Sequence, residues 1–437
     1  MSAGGGRRGV SASAGPRAVS EMTGAQAERY LLSLELFGMR FGLDRMRRLM
    51  TALDHPERRF ASIHVVGTNG KSSTTRMIAE ILSQHGLRTG AYLSPHLQSF
   101  AERIRVDGHD ITEGQFGAAV GRARRAAALV DRNAEPDDEV TQFEALTAAA
   151  YSELARQQVQ VAVIEAGLGG RYDATNVIPS SVTVLTGVGL EHTRWLGPTI
   201  ADIATEKVDV LQPGSTLVFG VDLDPDAVAV AERVGAERDA TIVGAGIDPG
   251  VPVGAPGAYQ RRNFALARAA AEAYLGALEP EAVRAAAAVV RVPGRLQQIA
   301  SEPLTLVDGA HNPDGTRALA ESLPELVTGD RRVVAVVSIL DDKDAAGMLA
   351  GLFGGAVKVD VIVLTSSQNP RALPPGTLQS LTRQLHGPPS EIVSDPHRAV
   401  TRARELAGPN GVVIVTGSIY LIADMLADGR REHASII

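Results

Sequence analysis

The residues best equipped for chemistry lie in IHVVGTNGKSSTTRMIAEIL, Ile63 to Leu82. A short β-branched run, Ile63 to Val66, reaches a turn at Gly67 to Gly70. From Lys71 onward Met77, Ile78, Ile81 and Leu82 recur at helical spacing. A buried strand feeding a glycine turn and a helix N-terminus is an anion site, because backbone N–H groups point outward and the helix dipole favours negative charge. Lys71 adds a cation for outer phosphates, and Ser72 or Ser73 adds a hydroxyl within reach of Mg²⁺. The spacing is not the full GxxxxGK[ST] pattern, since Val65 stands at its first glycine. An ordinary strand–turn–helix with an exposed lysine is the alternative. A nucleotide site accounts for more of these residues.

Open α/β sheets bind ligands outside the carboxyl ends of their strands. Ser94 follows the apolar stretch Thr89 to Leu93, Glu165 ends Val159 to Ile164, and His192 lies just past Val182 to Thr186. A hydroxyl, a carboxylate and an imidazole converging near Lys71 would hold a divalent ion. Oxygen ligands and waters suit Mg²⁺, the histidine less so. Taken singly, Ser94 reads as a turn or cap residue and His192 as a surface histidine. Glu165 is stronger, because a carboxylate directly ending an apolar strand must be solvated, paired or metal-bound. Further on, Leu304 to Val307 runs into DGAHNP, Asp308 to Pro313, another acid and imidazole at a strand end. Asn312 or Asp314 acting as a helix N-cap would explain the same motif. Arg295, after Pro293-Gly294, could swing toward a nucleotide held by the first half, though alone it reads as surface charge. Nothing local distinguishes Lys207 in IATEKVDVL, and Gln260 with Asn263 could bond an adenine or sit unused on a helix surface.

The elements that must position these groups alternate. Strands are expected at 63–66, 89–93, 159–164, 182–186 and 216–219, with a weak one at Ile242-Val243. A second set follows at 304–307, 332–337, 359–364, 391–393 and 412–416. Helical patterns lie among them, notably 43–53, 113–130, 143–156, 200–210, 260–278 and, from Glu281, up to Val292-Pro293-Gly294. Strand–helix alternation implies mostly parallel sheets covered by helices. The expected organisation is a tail at 1–24 too rich in Gly, Ala and Ser to fold, an α/β unit at 25–293 and a second at 294–437. The segment 221–258 reads as mixed and Gly/Pro-punctuated.

Composition bounds the function. A chain of 437 residues with net charge −7 and 21% charged residues points to no nucleic-acid surface. It has no cysteine, which excludes disulfides, thiolate metal sites and a cysteine nucleophile and fits a reducing compartment. No apolar run approaches the ~20 residues of a membrane span, and the N-terminus lacks a signal-peptide core. A cytoplasmic protein without membrane contact is expected.

The motifs GTNGKSS, EAGLGGRYDATN, EHTRWLG, EKVDVL, YQRRN, VPGRLQ, DGAHNPDG, LDDKD and TGSIYL stand in the order seen in folylpolyglutamate synthase/dihydrofolate synthase, and from about Ala25 onward the chain resembles that folate branch of the Mur ligase superfamily. The resemblance implies a P-loop-type ATPase domain followed by a smaller Rossmann-like domain. It implies an ATP-dependent ligase adding L-glutamate to tetrahydrofolate, and to dihydropteroate in members making dihydrofolate. Gly67, Thr68, Asn69, Gly70, Lys71, Ser72 and Ser73 would then hold ATP phosphates, and Asn263, Arg295 and Asp308 would contact ATP across the cleft. Ser94, Glu165 and His192 match Mg²⁺ ligands. Lys207 matches the lysine that CO₂ carboxylates to bind a second Mg²⁺. Phe143, Glu144, Tyr172, Asp173 and Ala174 fall at the pteroate site, and Arg103, His311 and Ser418 around the incoming glutamate. The family is typically monomeric. This sequence departs from it at Ser72, usually Gly, at Glu191, usually Asp, and at Arg40, where some bifunctional members carry Asp. A cell-wall Mur ligase would need an added N-terminal domain for its UDP portion, for which 62 residues before Ile63 leave no room. Mur-type ligation of another carboxylate and a non-catalytic nucleotide-binding protein are the remaining alternatives.

Overall fold

The computed structural model describes residues 22–35, 42–132, 134–135 and 138–427. Most of the expected N-terminal tail, and Arg40, lie outside these residues. Within it, Thr23 already caps the helix Gly24–Ser33 with a reciprocal Gln26 bond, so the first helix begins inside the segment read as tail.

Two sheets carry the molecule. The first contains β1 (Ala61–Val66), β2 (Thr89–Tyr92), β3 (Ile104–Val106), β4 (His109–Asp110), β5 (Val161–Glu165), β6 (Val182–Leu185), β7 (Thr216–Gly220) and β8 (Thr241–Ala245). Its order is β4-β3-β2-β5-β1-β6-β7-β8, parallel from β2 to β8, with β3 and β4 antiparallel at one edge. The second contains β9 (Gln297–Ser301), β10 (Leu304–Val307), β11 (Val333–Val337), β12 (Val361–Leu364), β13 (Ser390–Ile392) and β14 (Val412–Thr416) in the order β13-β12-β11-β14-β10-β9. Only β9 runs antiparallel there.

The inner strands are apolar on both faces, as helix-covered parallel strands must be. In β5, Ala162 and Ile164 enter one core with the helices Asp44–Ala52, Glu113–Asp131 and Gln142–Arg156, while Val161 and Val163 enter another with Met77, Ile78 and Phe264. The second sheet repeats the two-sided pattern, with Val333, Ala335 and Val337 on one face and Val334 and Val336 on the other. Between the sheets the chain passes from Val292, in the core of the first, to Leu296, in the core of the second, through Pro293, Gly294 (φ +68°) and Arg295.

Four elements differ from expectation. β3 and β4, three and two residues long, and the half-exposed edge strand β9 carry no apolar run. Segment 221–258, read as mixed with no helix placed in it, contains the helix Pro225–Glu237, started by Asp224 accepting from Asp226 N with Pro225 in the first turn. Among the described residues no helix is long and apolar enough to cross a membrane.

Candidate active site

A cavity of about 840 Å³ lies where the strand ends of the first sheet face the second. Its lining includes Gly67 to Ser73, Ser94, Arg103, Phe143, Glu144, Glu165, Tyr172, Asp173, Ala174, His192, Lys207, Arg295, His311 and Ser418. It does not include Asn263 or Asp308.

The wall from the first sheet starts at the turn between β1 and the helix Lys71–Gln84. Gly67 (φ +149°) has no room for a side chain, since a Cβ would lie 2.0 Å from Thr186 Oγ1. Thr186 in turn donates to the Asn69 carbonyl at 2.6 Å, and Thr68 N donates to Gly187 O at 2.8 Å, so β6 braces the turn. Gly70 (φ +84°) caps the helix with Asn263 beside it. Asn263 donates to Gln260 at 3.0 Å, and the buried Gln260 Nε2 has no partner among the described residues. Lys71 Nζ donates to Gly67 O at 3.1 Å and Thr68 O at 3.2 Å, and Lys207 Nζ also reaches Gly67 O, at 2.9 Å. Lys207 is buried, and burial, reinforced by the Lys71 charge, draws its pKa down to about 7. Two amines sharing one carbonyl, without an ion pair of their own among the described residues, form a wall that favours incoming negative charge.

Lys207 stands on the helix Ile200–Val208, which rests against the glycine loop after β5. A Cβ on Gly170 would sit 2.7 Å from both Glu206 O and Lys207 O. Asp173 holds that loop in shape. Its buried carboxylate accepts from Leu168 N (2.8 Å), Thr175 N (3.0 Å) and Thr175 Oγ1 (2.5 Å), and burial raises its pKa. Glu165, 1% exposed, accepts from Ser72 Oγ at 2.9 Å and Ser94 N at 3.0 Å. Burial raises its pKa against the pull of Lys71. Ser72 thus directs its hydroxyl to the strand-end carboxylate.

Other predicted residues are already engaged. Glu144 closes a capping box with Thr141 and accepts Arg45 Nε on both oxygens at 3.1 Å. Phe143 packs over Gly167, and Tyr172 is exposed with Arg171 5.9 Å from its ring centre. Arg103 is buried, donates to His96 Nδ1 at 2.9 Å and lies 5.3 Å from the Phe100 ring centre; burial lowers its pKa.

On the opposite wall, Asp308 accepts from Tyr259 OH (2.6 Å), Leu296 N (2.9 Å) and Ala310 N (2.9 Å). All three bonds brace the linker and strand end, which is why the carboxylate misses the cavity. His311 Nδ1 faces Gly309 O at 2.9 Å. Ser418 caps the helix Ile419–Leu426, accepting from Tyr420 N at 3.2 Å. Asn312 is the N-cap of Pro313–Ser322, accepting Gly315 N at 2.8 Å, and it also exchanges amide bonds with Asn69 at 3.0 and 3.1 Å.

Sequence reasoning missed the residue that joins the walls. Glu191, from the first sheet's side, accepts Lys343 Nζ at 2.9 Å and Asn312 Nδ2 at 3.2 Å, with His311 Nε2 at 3.5 Å and His192 Nε2 at 3.9 Å. Burial would raise its pKa, but His311, Lys343 and His192 together hold it well below the usual carboxylate range. His192 (φ +53°) has its own pKa lowered to about 4, chiefly by burial. Glu191 and Lys343 lie in the EHTRWLG and LDDKD motifs, but nothing in a linear sequence pairs them. Leu190 and Trp195, exposed at the cavity wall, also escaped notice.

Glu165 has the chemistry for Mg²⁺. Its carboxylate retains acceptor capacity, forms no ion pair among the described residues and lies on the cavity wall. Among the described residues no group of three His, Asp or Glu side chains is arranged to hold a metal ion. That fits an ion held by one or two carboxylates together with substrate phosphates and waters rather than by a protein cage.

Comparison with known proteins extends this geometry. A family model described as Mur ligase, glutamate ligase domain, matches residues 294–419. The chain is 36% identical over 386 residues to the dihydrofolate synthase/folylpolyglutamate synthase of Mycobacterium tuberculosis, covering 79% of this chain and 78% of that protein. Its structure is similar to M. tuberculosis folylpolyglutamate synthase complexed with ADP (TM-score 0.85, 33% identity, 92% of this chain and 97% of that one). It is also similar to E. coli FolC in complex with DHPP and ADP (TM-score 0.82, 28% identity, 94% and 98% covered). A solved FPGS–AMPPCP–folate complex matches with TM-score 0.80 and 31% identity over 92% of this chain and 98% of that one. Likeness of this extent spans both sheets and the cavity between them, and it places the chain in the dihydrofolate synthase/folylpolyglutamate synthase family of Mur-type ligases.

Proposed function

We propose that the protein joins L-glutamate to a folate carboxylate with ATP, extending tetrahydrofolate polyglutamates and accepting dihydropteroate in the same cavity. The observation that carries this reading is the pair Lys71 and Lys207 on one wall of the cavity, with His311 and Arg295 on the other. The relatives solved with ADP, AMPPCP, folate and DHPP support it.

In this reading the Gly67–Ser73 turn and Lys71 cradle the ATP phosphates through backbone N–H groups and one mobile cation. The folate carboxylate attacks the γ-phosphorus and ADP departs, giving an acyl phosphate. The glutamate amine attacks the acyl carbon, and inorganic phosphate leaves. Lys71 and Arg295 compensate the charge on the transferring group by preorganised electrostatics. Phe143, Tyr172 and Ala174 flank the pteroate. Arg103, His311 and Ser418 stand near the incoming glutamate. Glu144, Asp173 and Asp308 act by holding other groups in place. Bound at Glu165, Ser94 and His192, Mg²⁺ would neutralise phosphate charge. Lys207 has the low pKa that CO₂ requires, because only the neutral amine forms a carbamate. An acyl phosphate hydrolyses in water, so the Glu191 contacts that join the walls serve to exclude it. We place the enzyme in the cytoplasm as a monomer acting on small molecules.

The test offers ATP and labelled glutamate with tetrahydrofolate and dihydropteroate separately. Release of ADP and phosphate should require both a folate and glutamate. Equal release without a folate rejects the assignment.

A further inference from the structure

Away from the catalytic cavity, a pocket of about 240 Å³ opens between the helix Lys71–Gln84, strands β2 and β3, and the end of the helix Pro280–Val289. Arginines from three separate elements line it: Arg76, Arg105 and Arg291. Arg105 is committed, paired with Asp110 and donating to Gly108 O. Arg291 donates Nη1 to the Ala288 and Val290 carbonyls at 2.9 and 2.8 Å but forms no ion pair among the described residues. Arg76 forms neither a hydrogen bond nor an ion pair there, although it is only partly exposed. Glu80, one helical turn further on, also lines the pocket, and its Oε1 accepts Gln84 Nε2 at 2.9 Å. With Arg105 and Asp110 cancelling, Arg76 and Arg291 line the pocket with Glu80, and Glu102 and Glu165 attract Arg76 without bonding it. Burial, and then the like charge of Arg105, lower the Arg76 pKa to about 10. An arriving anion would relieve that cost.

We propose that this pocket is a second anion site that binds inorganic phosphate through Arg76 and Arg291. The volume is below the ~300 Å³ at which pockets begin to enclose drug-sized ligands, and it suits a single tetrahedral anion. Its position gives occupancy a consequence. Arg76 belongs to the helix whose N-terminus is the Gly67–Lys71 turn, and Arg291 directly precedes Val292, Pro293 and Gly294. A phosphate held between them ties the phosphate-loop helix to the linker between the sheets. The site stands independently of the ligase reading, which supplies only a source, since that reaction releases phosphate.

The test must separate this pocket from the Lys71 loop, which binds phosphate by its own chemistry. The full chain carrying Lys71→Ala is titrated with sodium phosphate against sodium chloride at matched ionic strength, with heat of binding and thermal midpoint as readouts. Phosphate should bind and raise the midpoint where chloride does not. Adding Arg76→Gln, or separately the exposed Arg291→Gln, should weaken phosphate about tenfold, a loss of about 1.4 kcal/mol. The Arg291 variant keeps the test decisive if the Arg76 variant folds poorly. Absence of a phosphate-specific response in Lys71→Ala, or an unchanged response in both arginine variants, overturns the proposal. Tighter binding of glycerol 3-phosphate than of inorganic phosphate would overturn the assignment to the free ion.

Discussion

The two walls of the cavity satisfy their polar groups in opposite ways. On the first sheet's side the functional cations fold onto their own backbone, with Lys71 and Lys207 on Gly67 O and the Glu165 carboxylate on Ser72 and Ser94. On the second sheet's side the polar groups reach across: Asn312 to Asn69 and Glu191, and Lys343 to Glu191. The cradle around Lys71 and Glu165 is complete within the first wall, whereas Glu191 and Asn69 of that wall and Asn312 and Lys343 of the second are satisfied by contact across the cavity. A preformed cradle can receive a polyanion in any arrangement of the sheets, whereas contact-dependent groups report whether the sheets have met.

Breaking the first wall should have the largest effect. Lys71→Ala should lower turnover by about 10²–10³, the cost of removing one preorganised stabilising donor, with the thermal midpoint unchanged because its bonds are local. Retained activity would mean the turn is not the phosphate cradle. The Glu191–Lys343 contact comes next. Glu191→Gln and Lys343→Met should each reduce kcat/KM, and a double-mutant cycle should show coupling of about 1.5–3 kcal/mol for a close charge pair. Additive losses would show that the walls do not communicate through this pair.

Lys207 sharpens the contrast through pH. Its folded pKa of about 7 lies below its ordinary 10.5. Between those values the unfolded chain binds the extra proton, so stability rises with pH across that window and is depressed below it. Lys207→Met should flatten this slope, and an unaltered slope would count against a buried neutral amine. With ¹³C-labelled CO₂, a carbamate resonance should appear as pH passes about 7 and be absent from the Met variant. Its absence from the unaltered chain at pH 8 would remove the carboxylated-lysine role. The smallest change expected is from Asn312→Ala, which loses a helix cap and the Asn69 pair and should cost about 1–2 kcal/mol in denaturant unfolding.

Much of this was legible before any coordinates. Wherever burial on both faces demanded a continuous β-branched run, as in β1, β5, β11 and β14, the strand could be read from residue types alone. Edge strands such as β9, with its sequence QQIAS, carry no such demand and left no pattern. At the cavity, residues recruited by motif divided by what surrounds them. Lys71, Glu165 and Lys207 face the space, whereas Asp308 and Glu144 have their acceptors filled by neighbouring backbone, tyrosine or arginine. The cross-wall role of Glu191 was illegible because it depends on Lys343, more than a hundred residues away, and on how two sheets meet.

Gly170 acts as a spacer. Because a Cβ there would stand 2.7 Å from the Glu206 and Lys207 carbonyls, the thickness of the layer between the glycine loop and the helix Ile200–Val208 is set by hydrogen alone. Any methyl group would act as a shim, pressing on the Lys207 carbonyl and lifting its amine off Gly67 O. The depth of the anion cradle is thereby calibrated at a position that has no functional group to offer, and a search for tolerated substitutions should find this site as closed as Lys71 itself.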